Sequence, residues 1–309
     1  MKKEICGLTM SSKIPFTHEF NFEYRKAQTL TPLIRRVVAD NPSPFTFKGT
    51  GTYIVGHDSV AVIDPGPLIP EHINALKSTL HKEKVTHILV THTHRDHSPA
   101  AEPLKSFWGV KTYAYGPHRL DPSQEPGHSE EGSDIEFTPD VTLRHGDLIK
   151  GNDWTLEALH TPGHTSNHMC YALHEDNAIF TGDHVMGWST TVIAPPDGNM
   201  TQYMESLELM LARSEDTYWP THGTCITNVK QYIKSIIQHR LIREQQILAC
   251  LGRGHSDIRV IVPEIYAAVD KRLYPAAAQS VLSAMIRLVD TGRVSCNGRP
   301  SIEAQYILT

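Results

Sequence analysis

The sequence predicts a layered α/β body followed by a small helical domain. Short β-rich runs alternate with helical patterns over about the first 220 residues, which is typical of layered α/β folds. From about Thr227 the pattern becomes three helices and a short β tail. The charge also changes sign, because residues 1–224 hold 18 basic and 28 acidic residues whereas residues 225–309 hold 11 and 6. We therefore predict two domains, residues 1–225 and 226–309.

The first domain opens with a predicted β-β-α-β unit. TYIVG (52–56) and VAVIDPGP (60–67) are β-rich runs separated by a turn, residues 70–81 carry apolar side chains at helical spacing, and VTHILVTH (85–92) is a buried strand. Further strands are expected at residues 111–115, 141–149, 154–161, 169–174, 178–183 and 216–223, with a helix at 200–213 and a surface loop at 118–140.

The second domain follows the layout of a winged helix, a variant of the helix-turn-helix. Its net positive charge suits an anionic partner such as nucleic acid, although small helical domains are often mildly basic without one. The sequence leaves both interpretations open.

Composition indicates a cytoplasmic protein. The five cysteines lie far apart and form neither a C-x-x-C pair nor a disulfide-like framework, which favours a reducing compartment. The N-terminus has no apolar signal region, and no run approaches the roughly 18 apolar residues of a membrane span. We expect no membrane partner.

The run THTHRDH (91–97) places four metal-ligand side chains directly behind an apolar strand. With 19 histidines in 309 residues, a histidine-rich loop is the alternative. Three more ligand-type residues follow other predicted strands, in TPGHT, TGDH and PTHG. Imidazole and carboxylate groups converging from strand ends suit zinc, with manganese or iron as alternatives. The residues concerned are His92, His94, Asp96, His97, His164, Asp183 and His222.

These motifs, in this order and with VIDPGP before them, resemble the metallo-β-lactamase fold superfamily over about residues 45–225. The resemblance implies an αββα sandwich with the site on one edge, followed here by the small C-terminal winged helix. It also implies a ligand set: a first metal ion held by His92, His94 and His164, a second held by Asp96, His97 and His222, and Asp183 bridging both.

Two such ions, most simply Zn²⁺ with Mn²⁺ or Fe²⁺ as alternatives, would share a water and lower its pKa toward neutrality, which yields a hydroxide nucleophile. Asp96 and Asp183 are then the predicted catalytic residues. Asp64 in VIDPGP is expected either to accept the free N–H of a ligand histidine or to form a turn before Pro65. Four residues after the bridging position are candidates for substrate binding, His184 also for proton donation or for packing: His184, Trp188, Ser189 and Thr190.

The stretch TGDHVMGWSTTVIAPPDGNMTQYMESL and the C-terminal HRLIREQQIL resemble a narrower group. These are lactamase-β-like hydrolases with an appended winged helix, whose animal relative is an endoribonuclease acting on single-stranded RNA. This resemblance implies a dinuclear metal-dependent hydrolase that cuts phosphodiesters of single-stranded RNA. Four basic residues are expected to hold its backbone: Arg240, Arg243, Lys271 and Arg272.

Two alternatives come from other functional classes. A thioester hydrolase of the glyoxalase II kind, or another hydrolase of small anionic substrates, can share all seven ligands. A winged-helix regulator with an inert hydrolase domain is disfavoured by the complete ligand set. A homodimer stays open, and three other histidines are expected to be solvated: His118, His128 and His145.

Overall fold

The computed structural model describes residues 14–118 and 132–309. Most of the predicted surface loop at 118–140 lies outside these residues, and so does His128. The described chain forms two β-sheets, helices on both outer faces, and a C-terminal helical unit.

The first sheet has seven strands that follow each other in chain order. They are β1 (Ala27–Thr29), β2 (Ile34–Val38), β3 (Gly51–Val55), β4 (Ser59–Ile63), β5 (Lys84–Leu89), β6 (Lys111–Ala114) and β7 (Val141–Thr142). Neighbours are antiparallel from β1 to β4 and parallel from β4 to β7. Parallel neighbours need crossover connections, and the helices α1 (Pro70–Thr79) and α2 (Ala101–Trp108) provide two of them.

The second sheet has five strands in the order β12-β11-β10-β9-β8. Their bounds are β8 (Leu148–Lys150), β9 (Thr155–His160), β10 (Met169–Leu173), β11 (Ala178–Gly182) and β12 (Thr217–Pro220). The parallel pair β11 and β12 is joined through α3 (Met200–Ala212).

Buried side chains define the layers. Residues of both sheets, such as Tyr53, Trp154 and Phe180, form one core between them. The outer face of the first sheet is covered by α1 and α2, and that of the second by α3 and α4 (Val229–Gly252). This confirms the predicted αββα sandwich.

The C-terminal unit contains α5 (Ile258–Ile265), a 3₁₀ turn at Lys271–Leu273, α6 (Tyr274–Asp290) and the paired strands β13 (Val294–Cys296) and β14 (Tyr306–Leu308). Together with the end of α4 these elements enclose a separate core. The predicted boundary after residue 225 stays a prediction, because α4 contributes to two cores. Among the described residues, no helix has the length and apolar character needed to cross a membrane.

Three local predictions differ from the structure. The first domain does not open at residue 52, because β1 and β2 precede it. Strand β2 was not predicted because the charged Arg35 and Arg36 interrupt its apolar pattern. In the structure Arg36 is nevertheless buried, and it donates a hydrogen bond to the carbonyl of Gly223 over 3.1 Å. The strand predicted at 141–149 is divided between the sheets as β7 and β8, and α2 was not predicted at all.

The turn before His164 requires glycine. Gly163 has a φ of +138°, and a Cβ there would lie 2.3 Å from the Cα of Tyr203 in α3. We expect Gly163→Ala to lower the free energy of unfolding by at least about 2 kcal/mol, because strain and backbone overlap add. Denaturant unfolding measures this. Gly116→Ala is the matched control, since its Cβ meets nothing within 4 Å; equal losses in the two variants would contradict the prediction.

Candidate metal centre

The seven predicted ligand residues come together at one edge of the sandwich. Four of them follow β5 directly, and the others follow β9, β11 and β12. Because these strand ends lie side by side at one edge, residues as distant in sequence as His92 and His222 approach each other. These residues form three overlapping sets of three, and within each set the ligand atoms lie within 4.8 Å of one another; two of the sets are the predicted groups, and the third is His92, His97 and Asp183.

The first group consists of His92, His94 and His164. Nε2 of His92 lies 2.8 Å from Nδ1 of His94, and Nε2 of His164 lies 3.2 Å from the same atom. Three imidazole nitrogens therefore converge on one point. This is the donor set of a tetrahedral zinc site with a fourth position open.

The second group consists of Asp96, His97 and His222. Oδ2 of Asp96 lies 3.2 Å from Nε2 of each histidine. Asp183 lies between the groups: its Oδ1 is 3.4 Å from Nε2 of His222, and its Oδ2 is 3.9 Å from Nε2 of His164. This carboxylate is therefore within 4 Å of a histidine of each group.

Two buried polar atoms at the centre fit a metal ion better than a protein partner. Nε2 of His97 and Oδ1 of Asp183 are buried and make no hydrogen bond to any described residue, although carboxylates lie at ion-pairing distance from the imidazole. A buried unsatisfied polar group is costly, and an absent ion is one explanation for it. The residues present therefore fit a metal centre.

In four of the histidines, the ring nitrogen that faces away from the centre, Nδ1, has a hydrogen-bond acceptor. Such contacts fix the ring orientation and the nitrogen that faces the metal. The acceptors are the Thr91 hydroxyl for His92 at 3.0 Å, the Asp64 carboxylate for His97 at 2.9 Å, the Val192 carbonyl for His164 at 2.7 Å and the Gly49 carbonyl for His222 at 3.2 Å.

Asp64 connects three strand ends. Its Oδ1 accepts the backbone N–H of Thr91 at 2.7 Å, and its Oδ2 accepts the hydroxyls of Thr91 and Thr221 at 2.8 and 3.1 Å. The same Oδ2 accepts Nδ1–H of His97. Of the two roles expected from the sequence, the structure places Asp64 in the first, as an acceptor for a ligand histidine.

Burial and neighbouring charges divide the histidines into two kinds. Burial would lower the pKa of His222, but Asp183 and Asp96 raise it to about 10, and the same competition leaves the pKa of His97 well above its ordinary value. Burial lowers the pKa of His92 well below its ordinary value, and neighbouring imidazoles lower it further. Burial would raise the pKa of Asp96, yet His97 and His222 hold it well below its usual range.

His184 does not lie where a substrate could contact it. Its side chain is completely buried, and its ring packs edge-on against Tyr203 at 5.0 Å. Burial lowers the pKa of His184 to about 3, so the ring is neutral at pH 7. The expectation that it binds substrate or donates a proton is therefore corrected in favour of packing.

Sequence reasoning missed His168, which supports the bridging carboxylate. Its Nε2 accepts the backbone N–H of Asp183 at 3.2 Å, and its Nδ1 hydrogen-bonds to the hydroxyl of Thr161 at 2.9 Å. The motif TPGHTSNH holds both His164 and His168, and spacing alone does not separate a ligand from a supporting residue.

The other predicted histidines also divide. His118 is not solvated: its side chain is only 12% exposed, lies 3.8 Å from Asp197, and has its pKa lowered by burial and by His94. His145 is exposed, as expected.

Trp188 lies at the rim of the second group. Its ring stacks on Phe47, with centroids 4.9 Å apart and an interplanar angle of 14°. The ring also lies beside Gly223, the residue after His222: a Cβ at Gly223 would be 3.5 Å from Cδ1 of Trp188. Ser189 and Thr190 come next in the chain and are half-buried. Phe47 could not be inferred from the sequence, because it is 141 positions from its partner.

The arginines expected to hold RNA are used within the protein. Arg240 is buried and donates to the carbonyl of Thr191 at 2.6 Å, and Arg243 donates to the carbonyl of Ile265 at 2.7 Å. Arg272 pairs with Asp270 over 2.6 Å. The guanidinium groups of Arg240 and Arg243 are thus engaged with backbone carbonyls of the protein, whereas the Arg272 side chain stays 89% exposed, so the four residues do not present one common basic surface.

Comparisons with known proteins agree with this geometry. Residues 46–222 match the family described as the metallo-β-lactamase superfamily, and residues 258–301 match the β-lactamase associated winged helix domain. The chain is 30% identical over 230 residues to the lactamase-like protein notP of Aspergillus sp. (strain MF297-2), covering 72% of this chain and 65% of that protein. It is 30% identical over 295 residues to an atrochrysone carboxyl ACP thioesterase of Pseudocercospora fijiensis (strain CIRAD86), covering 91% and 82%.

A solved structure shows the same fold over the whole length. The crystal structure of a β-lactamase domain protein from Burkholderia ambifaria superimposes with a TM-score of 0.77 at 18% identity, covering 98% of this chain and 99% of that one. The chain therefore belongs to the metallo-β-lactamase superfamily, and it is a metal-dependent hydrolase of that superfamily with a C-terminal winged helix. Two further relatives, from Cryptosporiopsis sp. (strain 8999) and Aspergillus novofumigatus (strain IBT 16806), are also named atrochrysone carboxyl ACP thioesterases, and these comparisons do not support the expected ribonuclease activity.

The charges around the second group predict proton release on metal binding. The neighbouring carboxylates Asp96 and Asp183 raise the pKa of His222 to about 10 and that of His97 well above its ordinary value, so we expect both rings to be protonated at pH 7 before a metal ion binds. Binding of Zn²⁺ at Nε2 displaces these protons, so we expect release of about two protons per chain and weaker binding as the pH falls. Calorimetry in buffers with different ionisation enthalpies measures the number.

Two variants test whether the released protons come from these histidines. His222→Gln should reduce it by about one proton, whereas His145→Ala, at an exposed position, should leave it unchanged. Zinc binding with no proton release in the unsubstituted protein would contradict the assignment of these charges.

Proposed function

We propose that the protein is a thioesterase that hydrolyses acyl thioesters, including acyl groups carried on an acyl carrier protein. The observation that carries the proposal is the seven-residue centre of a superfamily hydrolase, in a chain whose relatives over up to 91% of its length include ACP thioesterases. His92, His94 and His164 would hold one ion, Asp96, His97 and His222 a second, and Asp183 would bridge them.

When bound, two divalent ions, most simply Zn²⁺, polarise the carbonyl of the substrate and lower the pKa of the attacking water. Asp96 would orient that water, and its 15% exposed side chain, against 4% for Asp183, supports this role. The hydroxyl of Thr50 donates to Oδ2 of Asp96 at 3.0 Å and holds this carboxylate in position. The histidines keep their orientation through the acceptors already described.

The leaving group favours a thioester over a phosphodiester. Water adds to the carbonyl carbon, the C–S bond breaks, and the products are a carboxylic acid and a thiol, which takes up the proton that water loses. A thiol has a pKa of about 8.5, so a thiolate departs without a proton donor. An alkoxide needs one, and His184, the residue expected to supply it, is buried and neutral.

The direct test compares two substrates with one metal-loaded preparation. We expect chelator-sensitive thiol release from an acyl thioester of N-acetylcysteamine and from an acylated carrier protein, and no cleavage of a fluorescent single-stranded RNA. Asp183→Ala should reduce thiol release to background, whereas Asp153→Ala, at an exposed position, should keep full activity. Chelator-sensitive RNA cleavage without thiol release would contradict the proposal.

The stacked pair Phe47 and Trp188 should bind flat acyl groups, since aromatic rings stack with about 0.5–1.5 kcal/mol beyond their burial. We expect Phe47→Ala to raise the KM for a naphthoyl thioester by about 3- to 10-fold relative to an acetyl thioester. Phe107→Ala is the matched control, because Phe107 is exposed on α2 and has a lysine over its ring, as Phe47 does. The same KM ratio in both variants would contradict an acyl-binding role.

A further inference from the structure

Helix α4 belongs to two parts of the molecule. Its first half packs on the second sheet through Val229, Ile233 and Ile236. Its second half packs in the core of the winged helix through Ile247 and Leu251. The helix is therefore a continuous element between the hydrolase sandwich and the C-terminal unit.

One face of α4 binds the segment that follows the bridging carboxylate, residues 184–192. The hydroxyl of Tyr232 donates to the carbonyl of Met186 at 2.8 Å, and Nη2 of Arg240 donates to the carbonyl of Thr191 at 2.6 Å. Residues eight apart lie on the same side of a helix, about two turns from each other. The segment is thus held at two points by one rigid element.

This segment carries two contacts that orient metal ligands. The hydroxyl of Thr191 donates to the backbone carbonyl of Asp183 at 2.7 Å and also lies 3.2 Å from that of His184. The next carbonyl, that of Val192, accepts Nδ1–H of His164 at 2.7 Å. A displacement of Thr191 and Val192 would therefore move the bridging carboxylate and the third histidine of the first group.

The surroundings of Arg240 are unusual for an arginine. The side chain is 5% exposed and lies over the ring of Tyr203, 5.2 Å from its centroid. Among the described residues no carboxylate pairs with it, and its Nε makes no hydrogen bond. A buried guanidinium is costly unless its contacts are specific. Among the described residues, its hydrogen bond is the one to the carbonyl of Thr191.

We propose that Arg240 is a positioning residue for the metal centre: by holding Thr191 it sets the places of Asp183 and His164, and α4 becomes part of the framework of the site. The appended helical unit then has a role in the hydrolase that needs no contact with substrate.

The test measures Zn²⁺ affinity by chelator competition and the visible spectrum of the cobalt(II)-substituted protein. Arg240→Met keeps most of the side-chain volume and removes the donor. We expect about a 10-fold loss of affinity for an ion at the first group and an altered cobalt spectrum, because outer contacts of metal ligands change affinity by about 10- to 100-fold. No substrate is involved, so the outcome is independent of the proposed thioesterase activity.

Two further variants make the result specific. Thr191→Val removes the hydroxyl that contacts Asp183 but keeps the carbonyl that Arg240 binds, and we expect a similar loss; it decides the question if Arg240→Met does not fold. Arg243→Met is the matched control, because Arg243 lies on the same helix but contacts Ile265 and Tyr266 in the C-terminal unit. Unchanged affinity in Arg240→Met and Thr191→Val, or an equal loss in Arg243→Met, would overturn the proposal.

Discussion

One buried carboxylate ties together the strand ends from which most of the ligand side chains project. Asp64, at the end of β4, accepts hydrogen bonds from Thr91 after β5, from Thr221 after β12, and from the ring of His97. These strands belong to both sheets, so a single side chain sets the relative position of the two layers at the edge where the site lies. A buried charge is stable only with such partners. The geometry of both ligand groups depends on this constraint.

The centre consists of buried imidazole and carboxylate groups whose positions depend on hydrogen bonds to the surrounding residues. Neighbouring imidazoles and carboxylates shift each other's pKa in opposite directions, and each group is removed from water. Hydrogen bonds to the outer ring nitrogens of the histidines fix the orientation of each ring. One comes from the carbonyl of Gly49, and another from that of Val192, which follows the Thr191 carbonyl bound by Arg240 of α4. In the proposal for Arg240, this second contact connects α4 to the metal centre.

The sequence predicted those parts of the site whose residues lie close together in the chain. Four ligand residues, three histidines and one aspartate, lie within six positions behind an apolar strand, and this pattern by itself indicates a metal site. A layered α/β body was predictable because its strands and helices alternate, and the αββα sandwich followed from the resemblance of the ligand motifs to the metallo-β-lactamase superfamily. Long-range and buried polar contacts were not predictable. From composition alone, Arg240 was expected to bind phosphate. Only the tertiary structure shows that its side chain is buried against Tyr203. Phe47 and Trp188 meet only in the folded chain.

The most direct test of the centre is a crystal structure of the zinc-loaded protein with anomalous scattering measured above and below the zinc edge. We expect two zinc peaks per chain: one among His92, His94 and His164, and one among Asp96, His97 and His222, with the Asp183 carboxylate between them. A single peak elsewhere, or zinc bound without Asp183, would contradict this expectation.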